Sequence, residues 1–462
     1  MSHTERTLVD IISASRWRQV AAVVILMSLL VGFGASGWEE VLEHWSSRDS
    51  DQSAYMEIAL DIRRGIALTD GNRHPFYPSL LAPIAGYHWA YFTTAKLLNL
   101  VIGTLTLCVA YWVVTKVSSM HAALLAVFLS SQAHRFLDSA TKVVVEPSLA
   151  LIVIPTWYLV WENRGSAIRA GLAGLGAGLA YLAKGTGQII FVAFLAASVV
   201  TQGRHLLRKR DIWRFVFGYA ALASVLWLSN ALRYGNPFYS FSTTHAMWLD
   251  TWEDRYVIDA AQLPTLMTYL RSHSLQQIVR RLSNGLISVL KPMRQTWVPH
   301  PEFIFPLDQT VGLAILILRA TSTAERTCSR DRVSPWQKAL ARLRAHREGA
   351  VFTVILLGLW YVLFAWYSPV SDSARFFLPV APIVHCGIAS GLVLGIRVIL
   401  DEFPSPRGKA RAALVSVGYT AVAAVVLVST SNQVLASTRA GKLKNPYRWD
   451  VKQNADADAL LQ

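Results

Sequence analysis

The sequence predicts an all-α polytopic membrane protein, and three observations lead to this class. Of the 462 residues, 53% are hydrophobic and 16% are charged, whereas soluble globular chains are about 45–50% apolar and about 25% charged. The apolar residues form runs as long as a membrane-spanning helix, which needs about 20 residues. The excess of basic over acidic residues lies in a few short clusters between these runs. Soluble globular, disordered and disulfide-stapled classes are therefore excluded.

About eleven membrane-spanning helices are predicted from the apolar runs, with ends defined to within several residues. In chain order they are 17–37, 89–114, 120–134, 143–161, 167–183, 188–201, 212–232, 303–318, 350–367, 376–396 and 412–430. The third, fifth, sixth and eighth are short or weakly apolar. The fifth carries Gly171, Gly174, Gly176 and Gly178, which favour close helix packing in lipid.

The loop charges orient these helices. An inner N-terminus makes the inner segments 1–18, 115–119, 162–169, 202–214, 319–349 and 397–411. They hold 23 of the 44 Lys and Arg residues but only 9 of the 29 Asp and Glu residues. Alternating the eleven predicted spans from an inner N-terminus thus places nearly all of the net charge of +15 on the inner side, as the positive-inside rule expects. We interpret the basic runs as topology signals that touch anionic lipid; the alternative is a nucleic-acid surface.

Three long segments lie on the outer side: 38–88, 233–302 and the tail after residue 430. In the first, Tyr55, Ile58, Ala59 and Ile62 share one helical face, and Gly65 is a natural helix stop. The second outer stretch, near residues 263–286, has a similar pattern. We expect helices in the membrane interface in these first and fourth outer loops.

Charged side chains gather near the predicted outer boundary. Lys96, Glu146, Lys184 and Asp308 fall within or at the ends of spans, where a charge is costly and often functional. Asp49, Asp51, His74 and Arg375 lie near the same boundary. Several of these residues also have a simpler interpretation. Lys96 and Asp308 are then boundary residues, and Glu146 is an acid that stabilises a helix start. Lys184 and Arg375 are then anchors that bind lipid phosphate without catalysis.

Several short motifs in this outer region resemble a known family. They are Asp51-Gln52-Ser53-Ala54-Tyr55 with Ala59 and Gly65, Arg73-His74-Pro75-Phe76-Tyr77-Pro78, Glu146-Pro147, Gly178–Lys184, Arg233–Tyr239 and Arg375–Pro382. In their order and outer placement they resemble the GT-C membrane glycosyltransferases, in particular protein mannosyltransferases and lipid A aminoarabinose transferases. The resemblance covers roughly residues 10–400. Gln52 stands where many members have a second acid, and the large soluble C-terminal domain of some members is missing.

The resemblance implies a catalytic transmembrane domain over residues 1–430, with an outer tail over 431–462. It also implies transfer of a sugar, with inversion, from a polyprenyl-phosphate donor to a lipid, glycan or protein acceptor. The resemblance makes Lys184 and Arg375 candidates to hold the leaving phosphate. It makes Asp51 the candidate general base, with Glu146 as helper.

Further candidate residues follow from the same motifs. Tyr55, Arg73 and His74 are substrate-binding candidates, and Asp49 is a second catalytic candidate. Asp49 and Asp51 together also resemble acid pairs that hold a divalent metal for nucleotide sugars. The sequence therefore predicts no definite cofactor, and a divalent metal is the alternative.

Two other functions were weighed against the glycosyltransferase. A transporter or flippase of lipid-linked saccharides would place charges near the midplane and show internal repeats, and we find no repeat. An O-antigen polymerase or ligase is a further outer-face alternative. The Ala- and Arg-rich composition suggests a bacterial inner membrane, with the active site on the periplasmic face. The expected partners are the lipid-linked donor, the acceptor and membrane lipids, and no nucleic acid.

Overall fold

A computed structural model describes residues 3–43, 46–47, 51–88, 90–163, 165–203, 209–258, 262–297 and 335–402 of the chain. These ranges fold into helices and contain no strand, so the all-α class is confirmed. The predicted spans 303–318 and 412–430, the tail 431–462, Asp49 and Asp308 lie outside the described residues.

The helices are numbered in chain order. They are α1 (His3–Glu43), α2 (Gln52–Arg64), α3 (Phe76–Leu81), α4 (Ala90–Val117), α5 (Met120–Ser131), α6 (His134–Ala140), α7 (Glu146–Trp161), α8 (Ala167–Ala183), α9 (Gln188–Gln202), α10 (Arg210–Tyr234), α11 (Phe241–Thr244), α12 (Asp254–Val257), α13 (Leu266–Ser272), α14 (Leu275–Ser288), α15 (Leu290–Trp297), α16 (Pro335–Ala345), α17 (Arg347–Tyr367) and α18 (Ala381–Glu402). Short 3₁₀ turns cover Ala82–Ile84, Gly185–Gly187, Ala246–Trp248 and Ala374–Val380.

Six segments of the described chain are long and apolar enough to cross a membrane. They are Gln19–Glu43, Ala90–Val117, Gly185–Gln202, Arg210–Tyr234, Arg347–Tyr367 and Ala374–Gly395. The third, fourth and fifth predicted spans form the shorter apolar helices α5, α7 and α8, of 12, 16 and 17 residues. A multi-pass membrane protein is supported, while the count of eleven crossings stays a prediction.

The glycine-rich helix α8 packs closely on α10. A Cβ at Gly174 would overlap the backbone carbonyl of Phe215, and one at Gly178 would lie 2.8 Å from the carbonyl oxygen of Tyr219. Only glycine permits this approach of two backbones. The contact fixes the end of α8, and Lys184 directly follows that end.

The outer helix α2 matches its predicted position. It ends at Gly65, whose left-handed backbone (φ +69°) lets its N–H reach the carbonyl oxygens of Asp61 and Ile62. Tyr55, with Ile58 and Ala59, lies on the buried face, and its ring meets that of Tyr77 in α3 edge-on at 5.2 Å. At these residues the face that we expected to meet the membrane interface packs on α3 of the same loop.

The second outer stretch forms two helices, α13 and α14, where one was expected. Ser274 begins α14 with a capping box, since its hydroxyl accepts from the N–H of Gln277 and the Gln277 side chain accepts from the N–H of Ser274. Leu275 and Ile287 are exposed, whereas Arg281 is buried and donates to the Trp366 carbonyl oxygen at 3.2 Å. The loop is thereby fastened to the end of α17.

Segments that were assigned to the inner side contact one another in the structure. Arg342 of α16 donates to the carbonyl oxygen of Lys116 at 2.8 Å, just before the loop that joins α4 and α5. Gln202 at the end of α9 donates to Glu348 at the start of α17 at 3.1 Å. In both contacts the two partners belong to segments that the predicted alternation places on the same side of the membrane.

Candidate functional site

A pocket of about 270 Å³ lies where the predicted outer loops meet. Its wall comes from four separate parts of the chain: residues 51–74, the turn after α8, the loop after α10, and the end of α17 with the segment that follows it. Of the residues predicted from sequence, the lining includes Asp51, Tyr55, Arg73, His74, Lys184 and Arg375. The structure thus brings together groups that are hundreds of residues apart in sequence.

Asp51 directly precedes α2, and its side chain makes no capping hydrogen bond to that helix. Its two carboxylate oxygens instead accept from two guanidinium groups. Nη2 of Arg73 lies 2.7 Å from Oδ1, and Nη2 of Arg375 lies 2.6 Å from Oδ2. The Asp51 carboxylate therefore binds two cations and does not cap α2.

These partners make the Asp51 carboxylate a weak base. Burial alone would raise its pKa, but the charges of Arg375 and Arg73 outweigh that effect and hold the pKa well below its usual range. Arg73 shows the reciprocal effect: burial opposes its charge, yet Asp51 and Asp70 raise its pKa. The carboxylate of Asp51 is therefore held in its charged form while both guanidinium groups bind it.

Glu146 lies behind the pocket wall and is 1% exposed. Nζ of Lys184 donates to its Oε1 at 2.7 Å, and Nε of Arg375 lies 3.7 Å from the same oxygen. Glu146 is the first residue of α7 and Pro147 follows it within the first turn, so the helix-start interpretation holds as well. Arg375 thereby bridges the two carboxylates, Asp51 and Glu146.

The cations of the pocket are positioned by short, well-defined turns. Lys184 follows α8 with an extended backbone before the 3₁₀ turn Gly185–Gly187, and Arg375 is the second residue of the turn Ala374–Val380. Both charged groups lie over the ring of Phe376, at 4.8 Å and 5.4 Å from its centre. Cation–π contact of this kind holds a cation without consuming its hydrogen-bond donors.

The first outer loop is bound to the last turn of α10 and to the loop that follows it. The backbone N–H of Phe241 donates to the carbonyl oxygen of Gly71 at 2.7 Å, and Arg233 donates to the carbonyl oxygen of Thr69 at 3.0 Å. Gly71 has φ +82°, a conformation that favours glycine. Arg73 and His74, which follow this turn, are held in the pocket wall as a result.

An apolar half of the pocket was missed from the sequence. It is lined by side chains that include Phe241, Trp252 and Tyr367. These residues lie in loops or at a helix end, where periodicity carries no signal. The sequence analysis identified the segment 233–302 only by its length and by the helical pattern near residues 263–286, and neither feature singles out these aromatic residues.

Other predicted residues lie away from the pocket or outside the described part. The buried Lys96 donates to the carbonyl oxygen of Val41 at 2.6 Å and does not line the pocket. Asp49 and Asp308 are not among the described residues. The roles of all the site residues stay predictions.

The described residues around Asp51 do not fit a metal ion. No group of three or more His, Cys, Asp or Glu side chains able to hold a metal occurs in the part of the chain that the structure describes. Both oxygens of Asp51 already bind guanidinium groups, and these cations would repel a second one. No metal is therefore assigned a part in the proposed chemistry.

Comparison with known proteins gives remote structural similarities. No protein-family model and no curated sequence matches the chain. It is similar to the oligosaccharyltransferase AglB from Archaeoglobus fulgidus in complex with an inhibitory peptide and a dolichol-phosphate, at 12% identity and a TM-score of 0.40. That alignment covers 89% of this chain, which spans 56% of the length of AglB. It is also similar to apo ArnT from Cupriavidus metallidurans, at 14% identity and a TM-score of 0.31, over 94% of this chain and 78% of ArnT.

Both neighbours are GT-C superfamily membrane glycosyltransferases, the group that the loop motifs resemble. With TM-scores of 0.40 and 0.31 the likeness in shape is distant. The function proposed below depends on the residues of the pocket instead.

Proposed function

We propose that this chain is a membrane glycosyltransferase that moves a sugar from a polyprenyl-phosphate donor to an acceptor on the outer face of the membrane, with inversion. The observation that carries the proposal is the convergence of Arg73, Lys184 and Arg375 on one pocket, beside the carboxylates of Asp51 and Glu146. Cations gathered in this way suit a leaving group that develops negative charge. A lipid-linked phosphate would reach such a pocket at headgroup level.

In the proposed reaction the donor phosphate binds between Lys184 and Arg375, with Arg73 beside them. Among the described residues, Lys184 uses one of its three N–H donors, on Glu146. The guanidinium of Arg375 can bind two phosphate oxygens at once. Glu146, deeply buried and in contact with both cations, acts as a helper that keeps them aimed at the phosphate.

Asp51 is the proposed general base, and the donor itself makes it basic. The two guanidinium groups that bind Asp51 are the groups that the phosphate attracts. As each turns towards the phosphate, the pKa of Asp51 rises towards its ordinary value. The acceptor oxygen or nitrogen then forms a bond to the anomeric carbon while the bond to the phosphate oxygen breaks. The proton passes to Asp51, and the electron pair leaves on polyprenyl phosphate.

The remaining candidates complete the substrate site. Tyr55 and His74 line the pocket next to Asp51 and Lys184 and are proposed to contact the sugar or the acceptor. Residues 1–430 form the proposed catalytic domain and 431–462 an outer tail. The proposed location is a bacterial inner membrane, with the basic inner loops on anionic lipid.

The test is turnover by the purified full-length protein in detergent. Farnesyl-phosphate sugars with mannose, glucose, galactose, N-acetylglucosamine or arabinose are offered with a panel of lipid and glycan acceptors, and released farnesyl phosphate is measured. A transferase releases it, because the reaction needs no second compartment. A protein that moves such lipids between the leaflets of liposomes, yet releases nothing in detergent, is a flippase, and the proposal fails.

A further inference from the structure

His74 is a buried imidazole whose two nitrogens have different surroundings. The side chain is 4% exposed, and its Nδ1 lies 2.5 Å from the carbonyl oxygen of Tyr181. A carbonyl oxygen can only accept, so Nδ1 carries the proton and Nε2 carries a lone pair. The ring meets that of Tyr181 edge-on, at 5.0 Å and 90°, which fixes its orientation.

Nε2 of His74 lies beside Gly185, and both residues line the pocket. A Cβ on Gly185, the residue after Lys184, would lie 3.3 Å from Nε2, so this nitrogen lies against the turn that carries Lys184. No described residue makes a hydrogen bond to it. Burial lowers the pKa of His74 to about 4, although its bond to the Tyr181 carbonyl acts in the opposite direction. The ring is therefore neutral at physiological pH, and Nε2 is purely an acceptor.

The chemistry of a lipid-linked sugar leaves one class of partner for such an atom. An ionised phosphodiester offers only acceptors, which the lone pair of Nε2 would repel, and the prenyl chain offers no polar group. The acceptor also carries donors, but nothing in the proposed reaction places them at the turn after α8. The hydroxyl groups of the sugar are placed there, because the sugar is bonded to the phosphate that Lys184, the neighbour of Gly185, is proposed to hold.

We propose that Nε2 of His74 accepts a hydrogen bond from a hydroxyl group of the transferred sugar and so determines which donor sugars are used. This inference rests on the proposed function and deepens it. The imidazole cannot turn to make up for a missing hydroxyl, because the Tyr181 carbonyl holds its other nitrogen. A sugar without that hydroxyl leaves Nε2 unpaired in the pocket wall, which disfavours it.

Two substitutions separate the roles of the two nitrogens. His74→Asn places an amide N–H near Nδ1 and keeps the bond to Tyr181, but it lacks Nε2. His74→Gln places its amide near Nε2 and loses the bond to Tyr181. Both variants are made in the full-length protein and assayed in detergent with the farnesyl-phosphate sugar that the wild-type protein uses, and with the monodeoxy analogues of that sugar.

With the wild-type protein, we expect one monodeoxy analogue to lose about 10-fold in kcat/KM, about one hydrogen bond. His74→Asn should lose about 10-fold with the parent sugar and nothing more with that analogue. His74→Gln should keep part of the preference. Farnesyl phosphate has no sugar, so His74→Asn should bind it with unchanged affinity, which also shows that the variant is folded.

Three results contradict the inference. The first is an equal penalty for every deoxy analogue in the wild-type protein and in His74→Asn. The second is a loss of farnesyl phosphate affinity in both variants, which would assign His74 to the phosphate or to folding. Finally, if the wild-type protein releases no farnesyl phosphate from any donor sugar, the proposed function fails and this inference fails with it. The first two results leave the proposed function intact.

Discussion

The Asp51 carboxylate binds two guanidinium groups and is proposed to accept a proton during transfer. Asp51→Asn keeps the size of the side chain and suits the start of a helix about as well as Asp, but it cannot accept the proton. We expect turnover to fall about 100-fold or more while the protein stays folded. The measurement is release of farnesyl phosphate, with thermal unfolding followed in parallel.

A matched control for this substitution is Asp70→Asn. Asp70 binds the other end of the same Arg73 guanidinium at 2.6 Å and is not proposed as a proton acceptor. We expect a milder loss, caused only by the looser position of Arg73. Normal turnover by Asp51→Asn would contradict the carboxylate mechanism. If Asp49→Asn is inactive while Asp51→Asn is active, the general base is Asp49 and not Asp51.

Arg375 tests whether shape matters in addition to charge. Arg375→Lys keeps the positive charge but loses the planar fork that contacts Asp51 and Glu146 and that can bind two phosphate oxygens at once. We expect the turnover of Arg375→Lys to fall about 10-fold or more, and that of Arg375→Ala to fall further. Arg169→Lys, the same change at an exposed residue of the inner end, should turn over as the wild-type protein does. An active Arg375→Ala variant would refute the assignment.

The sequence predicted the region in which the site residues lie, but it did not predict which of them contact one another. Topology placed Lys184 and Arg375 at one boundary although 191 positions separate them in the sequence. Contact between Asp51 and Arg375, 324 positions apart, depends on how the loops turn, which no local pattern encodes. Arg73 was predicted to bind substrate, yet its bond to Asp51 arises only from the turn at Gly71.

At the scale of elements, the contact between α8 and α10 is sensitive to a single added methyl group. Gly174→Ala places a Cβ against the carbonyl of Phe215, and backbone cannot move aside cheaply. We expect the free energy of unfolding to fall by about 1–3 kcal/mol, with a loss of turnover because α8 positions Lys184. Thermal unfolding in detergent measures the first effect.

Gly171→Ala is the control on the same helix. Its Cβ would lie 3.9 Å from the Cβ of Arg214, an ordinary contact, and alanine favours a helix more than glycine does. Stability should therefore stay the same or rise slightly. Equal loss of stability in both variants would show that helix propensity, and not close packing, explains the glycines.

The elements show what hydrophobic pattern can and cannot predict. The periodicity around Tyr55 and the stop at Gly65 predicted α2 to within a residue or two. The break between α13 and α14 was missed, although Ser274 and Gln277 stand at the spacing of a capping box. Hydropathy predicted both ends of α8, 167–183, as the structure has them. It placed the end of α5 three residues too late and the start of α7 three residues too early, because α5 ends at the polar residues Ser130 and Ser131 and α7 begins at Glu146-Pro147.

At the scale of the whole molecule, the alternation of loops makes a claim that labelling can check. In a variant whose three native cysteines are replaced by serine, Val257→Cys lies in the predicted outer loop and Leu343→Cys in the predicted inner segment, both at exposed positions. An impermeant thiol reagent added to intact cells should label the first and not the second. Reversed labelling would remove the basis for an outer-face site.

The most direct measurement of the central claim is the structure of the full-length protein with bound polyprenyl phosphate, determined by electron cryo-microscopy. We expect the phosphate within hydrogen-bond distance of Nζ of Lys184 and of the Arg375 guanidinium, with Asp51 released from at least one of the two guanidinium groups that now bind it. A phosphate bound elsewhere, or an Asp51 still held by both arginines beside it, would contradict the account.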